Sequence, residues 1–127
     1  MHKVIIRNEL ASLKDYWSQK VIAEANGQLF KVAKGIGPIN WHHHDDQDEL
    51  FILYDGHLTI ELRTDKTTDR TEEIQLADGE LFVVPKGVEH RVRAEEEAAF
   101  LIVGLNITST RQGGKPAWSF SGQDATP

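Results

Sequence analysis

The chain of 127 residues contains no cysteine. This absence excludes disulfide bonds, metal sites built on thiolates and cysteine nucleophiles. Any metal ion that the protein binds must therefore be held by imidazole and carboxylate groups. The sequence supplies these groups in 6 histidines and 20 aspartates and glutamates.

Cationic residues and long apolar runs are also scarce. The 14 lysines and arginines leave a formal net charge of -6, whereas nucleic-acid binding depends on clustered cationic side chains. The longest apolar runs, such as Leu50 to Tyr54, are too short to cross a membrane, and the N-terminus lacks the apolar core of a signal peptide. We expect a single domain over residues 1–127, cytoplasmic, without nucleic-acid or membrane partners.

One segment carries a helical pattern. Leu10, Leu13 and Trp17 repeat at i, i+3 and i+7, and Asn8 before them is of a type that caps helices. The rest of the chain consists of short strand-like segments separated by turn residues, which is typical of an all-β sandwich or barrel. Asn26-Gly27 and Asp55-Gly56 indicate two-residue hairpins.

The strand-like segments differ in how many faces they bury. Residues 57–63 alternate, which predicts a buried face and a solvent-exposed face; the exposed face would carry His57, Thr59, Glu61 and Arg63. Residues 50–54 and 81–84 are apolar on both faces. Their outer face therefore has to be covered by the N-terminal segment or by a second subunit, and we expect a homodimer. The acidic run 95–97 is interpreted as a solvated turn.

Three consecutive histidines precede an apolar strand. Side chains at i and i+2 of a strand point the same way, so His42 and His44 share one face and His43 takes the other. Glu49 opens the next strand and can return its carboxylate to the face of His42. Alone, these residues fit a polar hairpin loop as well as half of a metal site.

A second segment, residues 79–90, carries turn residues at fixed offsets and ends in a histidine. Gly79 and Gly87 suit positions that need positive φ, and Pro85 ends the strand before it. His90 stands at the start of the following strand. Taken alone, it points either into a barrel or out to solvent.

Together the two segments resemble the paired motifs of the cupin family. H-x-H-x4-E-x6-G is matched by His42, His44, Glu49 and Gly56, and G-x5-P-x-G-x2-H by Gly79, Pro85, Gly87 and His90. The resemblance covers about residues 20–107, and the histidine run is also similar to a subgroup of small single-domain cupins described as mannose-6-phosphate-isomerase-like. In two places the chain departs from the pattern: the glycine before the first histidine is displaced to Gly37, and Ala94 stands where an asparagine is usual.

The resemblance implies an all-β double-stranded β-helix, or jelly-roll barrel, with one short N-terminal helix and a loop-like tail over about residues 108–127. It also implies one divalent transition metal ion (Fe, Mn, Ni, Co or Zn) held by His42, His44, Glu49 and His90. A six-coordinate ion would keep two positions for water, oxygen or substrate. We expect a pocket beside it with walls from Phe51, Leu53, Phe82 and Phe100.

Two classes of function agree with this site. One is a metal-dependent enzyme of dioxygenase or isomerase type acting on a small organic molecule. The other is a non-catalytic module that binds or senses a metal or a small ligand. The residues identify no general acid or base. A slip of one residue would instead turn His43 and Asp45 inward, beside Glu49 and His90.

Overall fold

The computed structural model describes residues 2–65 and 67–105, which form one helix and seven strands. Their bounds are α1 Ile6–Ala11, β1 Lys20–Ala25, β2 Gln28–Pro38, β3 Glu49–Asp55, β4 His57–Arg63, β5 Glu72–Ala77, β6 Leu81–Val84 and β7 Glu89–Gly104. The predicted class, mostly β with one short N-terminal helix, is confirmed. No helix of the described part is long and apolar enough to span a membrane. The predicted tail over residues 108–127, with Trp118 and Phe120, lies outside the described residues.

The last strand, β7, joins the two sides of the barrel. Its residues 89–93 pair with β4, which pairs in turn with β5. Its later residues, from Ala98 onwards, pair with β2 on one side and β3 on the other. β1 and β6 complete the larger sheet, whose order is β1-β2-β7-β3-β6. The long strand β7 therefore carries the end of the second motif, His90, and is also the middle strand of the larger sheet.

The acidic run 95–97 lies where β7 passes from one side of the barrel to the other. The interpretation as a turn is wrong, because these residues belong to β7. Gly35 pairs with Ala98 but Gly37 pairs with Ala94, so β7 carries extra residues against β2. Such a bulge bends a strand without ending it. The three glutamates are exposed, as expected of the bulged residues.

The apolar side chains form two clusters on opposite faces of the larger sheet. The inner cluster fills the barrel and includes Phe51, Leu53 and Phe100. The outer cluster consists of Leu10, Val32 and Leu101, with further partly buried side chains around them. Because consecutive residues of a strand face opposite sides, β2 contributes to both clusters. The helix α1 therefore covers part of the outer face.

The helix differs from its prediction at both ends. It begins at Ile6 after Ile5, makes no side-chain cap, and ends at Ala11. Asn8 is therefore inside the helix and does not cap it. Trp17 lies beyond the helix with a φ of 66° and packs in the inner cluster. Contacts with the barrel interior determine its position, rather than the helical repeat.

Trp17 is fixed to β2 at a glycine. Its backbone N–H donates to the carbonyl oxygen of Lys34 at 2.7 Å, and its Nε1 donates to that of Ile36 at 3.1 Å. A Cβ atom on Gly35 would lie 2.4 Å from the ring. Since both hydrogen bonds hold the indole, the ring cannot easily move away. The N-terminal segment reaches the barrel interior only because residue 35 has no side chain.

We predict that Gly35→Ala lowers the free energy of unfolding by about 1–3 kcal/mol, the usual cost of overpacking. Urea denaturation measures this loss. The control is the same substitution made in a Trp17→Ala background, where the clash is removed and the cost should fall by more than half. Equal costs in both backgrounds would show that the indole is not what residue 35 accommodates.

The predicted solvent-exposed face of β4 is wrong at two of its four positions, since His57 is exposed and Arg63 partly exposed. Thr59 and Glu61 are both only 6% exposed. Thr59 donates to the side-chain oxygen of Gln75 on β5 at 2.9 Å, and Arg91 on β7 donates to Glu61 at 2.9 Å. Arg93 also pairs with Glu61. Polar side chains of the neighbouring strands cover this face, so its polarity in the sequence does not mean contact with water.

Candidate metal centre

Two of the predicted ligands stand directly opposite each other. The backbone N–H of His42 donates to the carbonyl oxygen of His90 at 2.9 Å, and the N–H of His90 donates to that of His42 at 2.8 Å. These two reciprocal hydrogen bonds make His42 and His90 a hydrogen-bonded pair of an antiparallel ladder, and the side chains of such a pair lie on the same face. The two imidazole centroids are 4.3 Å apart. The histidines of the two motifs therefore meet through their backbones.

The other two predicted ligands are placed by the turn of the second motif. The N–H of Gly87, where φ is 83°, donates to the carbonyl oxygen of His44 at 2.7 Å. The N–H of Lys86 donates to the Asp48 carboxylate at 2.9 Å. Asp48 in turn directly precedes Glu49, the first residue of β3. Each motif thus fixes the backbone of the other.

The structure brings all four predicted ligands together. One donor atom from each of His42, His44, Glu49 and His90 lies within 4.8 Å of the others. Imidazole and carboxylate ligands lie about 2.0–2.2 Å from a metal ion such as zinc, so opposite ligands are about 4.2 Å apart. Small side-chain movements are enough to close this set around one ion.

The register that turns His43 inward does not agree with the structure. His43 is exposed, and its Nε2 lies 3.5 Å from the carboxylate of Asp45, which is exposed as well. His44 and His42 lie on the opposite side of the segment, with ring centroids 5.0 Å apart. The candidate centre consists of three histidines and one glutamate.

The hydrogen bonds of the imidazoles leave the right nitrogens for a metal. Nδ1 of His42 lies 2.8 Å from the carbonyl oxygen of Asn40, and Nδ1 of His90 lies 2.9 Å from that of Val88. A carbonyl oxygen only accepts, so each Nδ1 carries the proton and donates it. Each Nε2 is left with a lone pair, as in most histidine ligands of metal sites.

Two further contacts fit a cation at the centre. Nε2 of His90 lies 3.2 Å from the Glu49 carboxylate. Since Nδ1 of His90 carries the proton, Nε2 and the carboxylate oxygen both present lone pairs, and a proton or a metal ion has to lie between them. Nε2 of His44 is buried and has no hydrogen-bond partner among the residues that the structure describes. Such buried polar atoms are rare unless a ligand satisfies them.

Electrostatics keep two ligands in the form that binds a metal. Burial by itself raises the pKa of the Glu49 carboxyl, but the neighbouring imidazoles of His44 and His90 outweigh it and hold the pKa well below its usual range. Burial, with the nearby His90, lowers the pKa of His42 to about 4 against the effect of its bond to Asn40. Glu49 is therefore an anion and His42 neutral at neutral pH.

A small cavity adjoins the candidate ligands. Its walls include the aromatic rings of Trp17, Phe51 and Phe100 and the polar groups of Gln19, His42 and Glu49. The ring of Phe100 is 5.9 Å from that of Trp17 and 6.3 Å from that of Phe51, measured between centroids. Two of the candidate ligands therefore open onto an aromatic pocket.

Two of the four predicted pocket walls are correct. Phe51 and Phe100 line the cavity, whereas Leu53 and Phe82 do not. Leu53 shares the inward face of β3 but is fully buried in the inner cluster. Phe82, on the edge strand β6, packs against the same cluster from the side. Strand alternation predicts the inward face correctly, but not how far along each strand the cavity extends.

Three interior residues were missed from the sequence. Trp17 and Gln19 line the cavity, but the sequence pattern had placed Trp17 on the apolar face of the helix. Lys31 on β2 is fully buried; burial lowers its pKa to about 8, partly offset by the negative charge of Glu49. A lysine between Phe30 and Val32 suggests a solvent-exposed position. In the structure, Val32 instead packs in the outer cluster, so Lys31, which alternates with it, faces the barrel.

The family of the protein follows from sequence comparison as well as from this geometry. A model of the cupin domain matches residues 28–104, well over half of the chain. The protein therefore belongs to the cupin-domain family. The matched range includes both motifs and all four candidate ligands.

Individual relatives agree with the assignment. The chain is 36% identical over 73 residues to the uncharacterized protein YdbB of Bacillus subtilis; the match covers 58% of this chain and spans only 59% of that relative's length. A cupin-2 domain protein of Shewanella frigidimarina is 38% identical, with a TM-score of 0.71 over 79% of this chain and 91% of that one. Hydroquinone 1,2-dioxygenase of Sphingomonas sp. TTNP3, with 4-hydroxybenzoate bound, has the same fold at 18% identity, with a TM-score of 0.64 over 77% and 70% of the two chains.

Proposed function

We propose that this cupin is a metal-dependent enzyme of the dioxygenase type that acts on a small, flat organic molecule. The observation that carries the proposal is the opening of the candidate ligands His42 and Glu49 onto a cavity with aromatic walls. A purely structural metal site closes its coordination sphere with protein ligands, whereas a catalytic one keeps positions free. Here the free side of the ligand set faces a pocket.

The lining of the cavity supports a ligand with an aromatic ring. Trp17, Phe51 and Phe100 present ring faces and edges that hold a flat apolar body. The fold neighbour from Sphingomonas contains such a molecule, 4-hydroxybenzoate.

One set of side chains would bind the ion, and another would bind the substrate. His42, His44, Glu49 and His90 would hold one divalent ion, which when bound supplies a Lewis acid and a place for oxygen. The aromatic walls exclude water and orient the ring. The side chain of Gln19, only 7% exposed, lines the same cavity. The affinity of such a site does not select among Fe, Mn, Ni, Co and Zn.

An isomerase is the weaker alternative because it needs a general base. Within residues 2–65 and 67–105, Glu49 is the only carboxylate that lines the cavity, and it belongs to the ligand set. The mannose-6-phosphate-isomerase-like subgroup stays a prediction from the motif residues. A non-catalytic binding module would hold the same ion and the same kind of ligand but would consume no oxygen.

Oxygen uptake tests the proposal. The protein is loaded anaerobically with Fe(II), and hydroquinone, catechol and acetylacetone are each added in air-saturated buffer. We expect uptake with at least one of them, absent in Glu49→Gln and retained in His43→Ala. Tight binding of the metal with no uptake from any compound would instead indicate the binding module.

We also propose that the protein is a homodimer. On β6, the edge strand of the larger sheet, Leu81 and Val83 are 57% and 40% exposed, and Tyr54 on the neighbouring β3 is 40% exposed. The helix α1 packs on other residues of the outer face. Exposed apolar edges are usually covered by a partner, and a second copy in a symmetric pair is the commonest one.

Light scattering is expected to give twice the chain mass of 14.3 kDa. Leu81→Glu should shift the protein to the monomer, since it places a charge in the proposed interface. Thr71→Glu introduces the same charge at an exposed position next to β5 and should leave the dimer intact. A monomeric mass for the unmodified protein at micromolar concentration contradicts the proposal.

A further inference from the structure

We propose that Trp41 is a positioning residue for the candidate metal centre, because its contact with Arg63 and Arg91 holds the neighbouring ligand His42 in place. The inference rests on the proposed metal binding and adds to it a residue outside the ligand set. Trp41 directly precedes His42 and is partly buried. It acts from the outer side of the barrel, opposite the ligands.

The segment that carries His42 is attached to the barrel by a short stretch of backbone. Residues 39–42 lie between β2 and β3 and belong to neither strand. The N–H of Ile39 donates to the carbonyl oxygen of Val92 at 3.0 Å, and the bridge between His42 and His90 is an isolated one. Segments with few backbone hydrogen bonds open locally more readily than the sheets beside them. The position of His42 therefore depends on the side chains next to it.

The side chain of Trp41 faces away from the candidate ligands. Consecutive residues of an extended segment point to opposite sides, and the contacts of Trp41 are on the outer face of β4 and β7. Cζ of Arg63 lies 4.2 Å and Cζ of Arg91 lies 5.0 Å from the centroid of its ring. A guanidinium within about 6 Å of an aromatic centroid is attracted to the ring, and tryptophan is the best aromatic partner.

Each of the two arginines is itself fixed by a carboxylate. Arg63 on β4 pairs with Glu89 on β7, and Nε of Arg91 on β7 donates to Glu61 on β4 at 2.9 Å. Both ion pairs join residues that stand directly opposite each other in the two strands. The guanidinium groups therefore form an ordered surface for the indole. With the indole bound there, His42 is directed inward toward the other candidate ligands.

Two measurements on Trp41→Ala test the inference, and the first needs no metal. The N–H groups of His42 and His90 both bond across the bridge, so their hydrogen exchange, followed by NMR in the metal-free protein, reports its opening. We expect exchange at both groups to become about fivefold faster, because the attraction between the arginines and the ring is lost.

The second measurement is the affinity for Co(II), determined by competition with a chelator. Trp41→Ala should bind Co(II) about tenfold more weakly, at the lower end of the roughly 10–100-fold cost of losing a residue that orients a metal ligand. Trp41→Phe keeps an aromatic ring for the two guanidinium groups and should recover most of the affinity. Arg63→Gln and Arg91→Gln should each show part of the loss, and they replace Trp41→Ala if that variant does not fold.

Arg93→Gln and Ile22→Ala are the matched controls. Arg93 lies on the same face of β7 as Arg91 but pairs with glutamates and is not one of the two arginines over the Trp41 ring. Ile22 packs against the outer cluster, so Ile22→Ala lowers the free energy of unfolding at a distant site. Both controls should leave the exchange at the bridge and the Co(II) affinity within about twofold.

The outcomes separate this inference from the proposed metal site. Unchanged Co(II) affinity or unchanged exchange at the bridge in Trp41→Ala overturns the positioning role. Equal losses in Ile22→Ala would also overturn it, because they would show that Trp41 only stabilises the fold. Failure of the unmodified protein to bind Co(II) overturns the proposed metal site itself.

Discussion

His90→Ala is expected to lose its metal ion and to keep its fold. Removal of one of four ligands leaves a further coordination position to water, which should weaken metal binding by several kcal/mol. The inner cluster that fills the barrel consists of apolar side chains and does not depend on the ion. Metal content per chain at limiting supply, together with circular dichroism, measures both parts of the prediction.

The thermal midpoint separates loss of metal from loss of fold. An ion that binds only the folded state raises the midpoint of the unmodified protein, and a chelator should lower it again. For His90→Ala the midpoints with and without chelator should coincide. His57→Ala, at an exposed histidine of β4, is the matched control and should retain the full response. Full metal content in His90→Ala at limiting supply would mean that the ion is held elsewhere.

The candidate ligands were predictable because local rules place them. Alternation puts His42 and His44 on one face of an extended segment, and the positive φ of Gly79 and Gly87 agrees with the glycines of the second motif. These constraints act within a few residues of the chain. The two motifs are distant in sequence, and only the resemblance to cupins predicted that they form one site. In the structure, the backbone bridge between His42 and His90 brings the two motifs together.

The errors arose where a residue's surroundings come from distant parts of the chain. Glu61 looked solvent-exposed, yet Arg91 and Arg93 cover it from β7, a strand distant in sequence. Trp17 fitted a helical repeat, but the absence of a side chain at Gly35 allows its ring into the barrel. Lys31 lies in a strand with both faces covered, where polarity no longer indicates the outer side.

The variants His42→Ala, His43→Ala and His44→Ala are expected to separate the three adjacent histidines. His43→Ala should keep full metal content, because its side chain is exposed and lies next to Asp45. His42→Ala and His44→Ala should each lose most of the ion at limiting supply, for the reason given for His90. The three substitutions remove the same atoms from neighbouring positions, so they are controls for one another.

The series also tests the register of the whole first motif. Register is strongly fixed where one face of a segment is buried, and a slip of one residue exchanges the two faces completely. Intermediate results in all three variants are therefore not expected. Metal content is measured by elemental analysis after dialysis against equal amounts of ion and chain, with circular dichroism to verify folding. Loss of the ion in His43→Ala together with its retention in His42→Ala would place Asp45 in the ligand set and exclude the arrangement of three histidines and one glutamate.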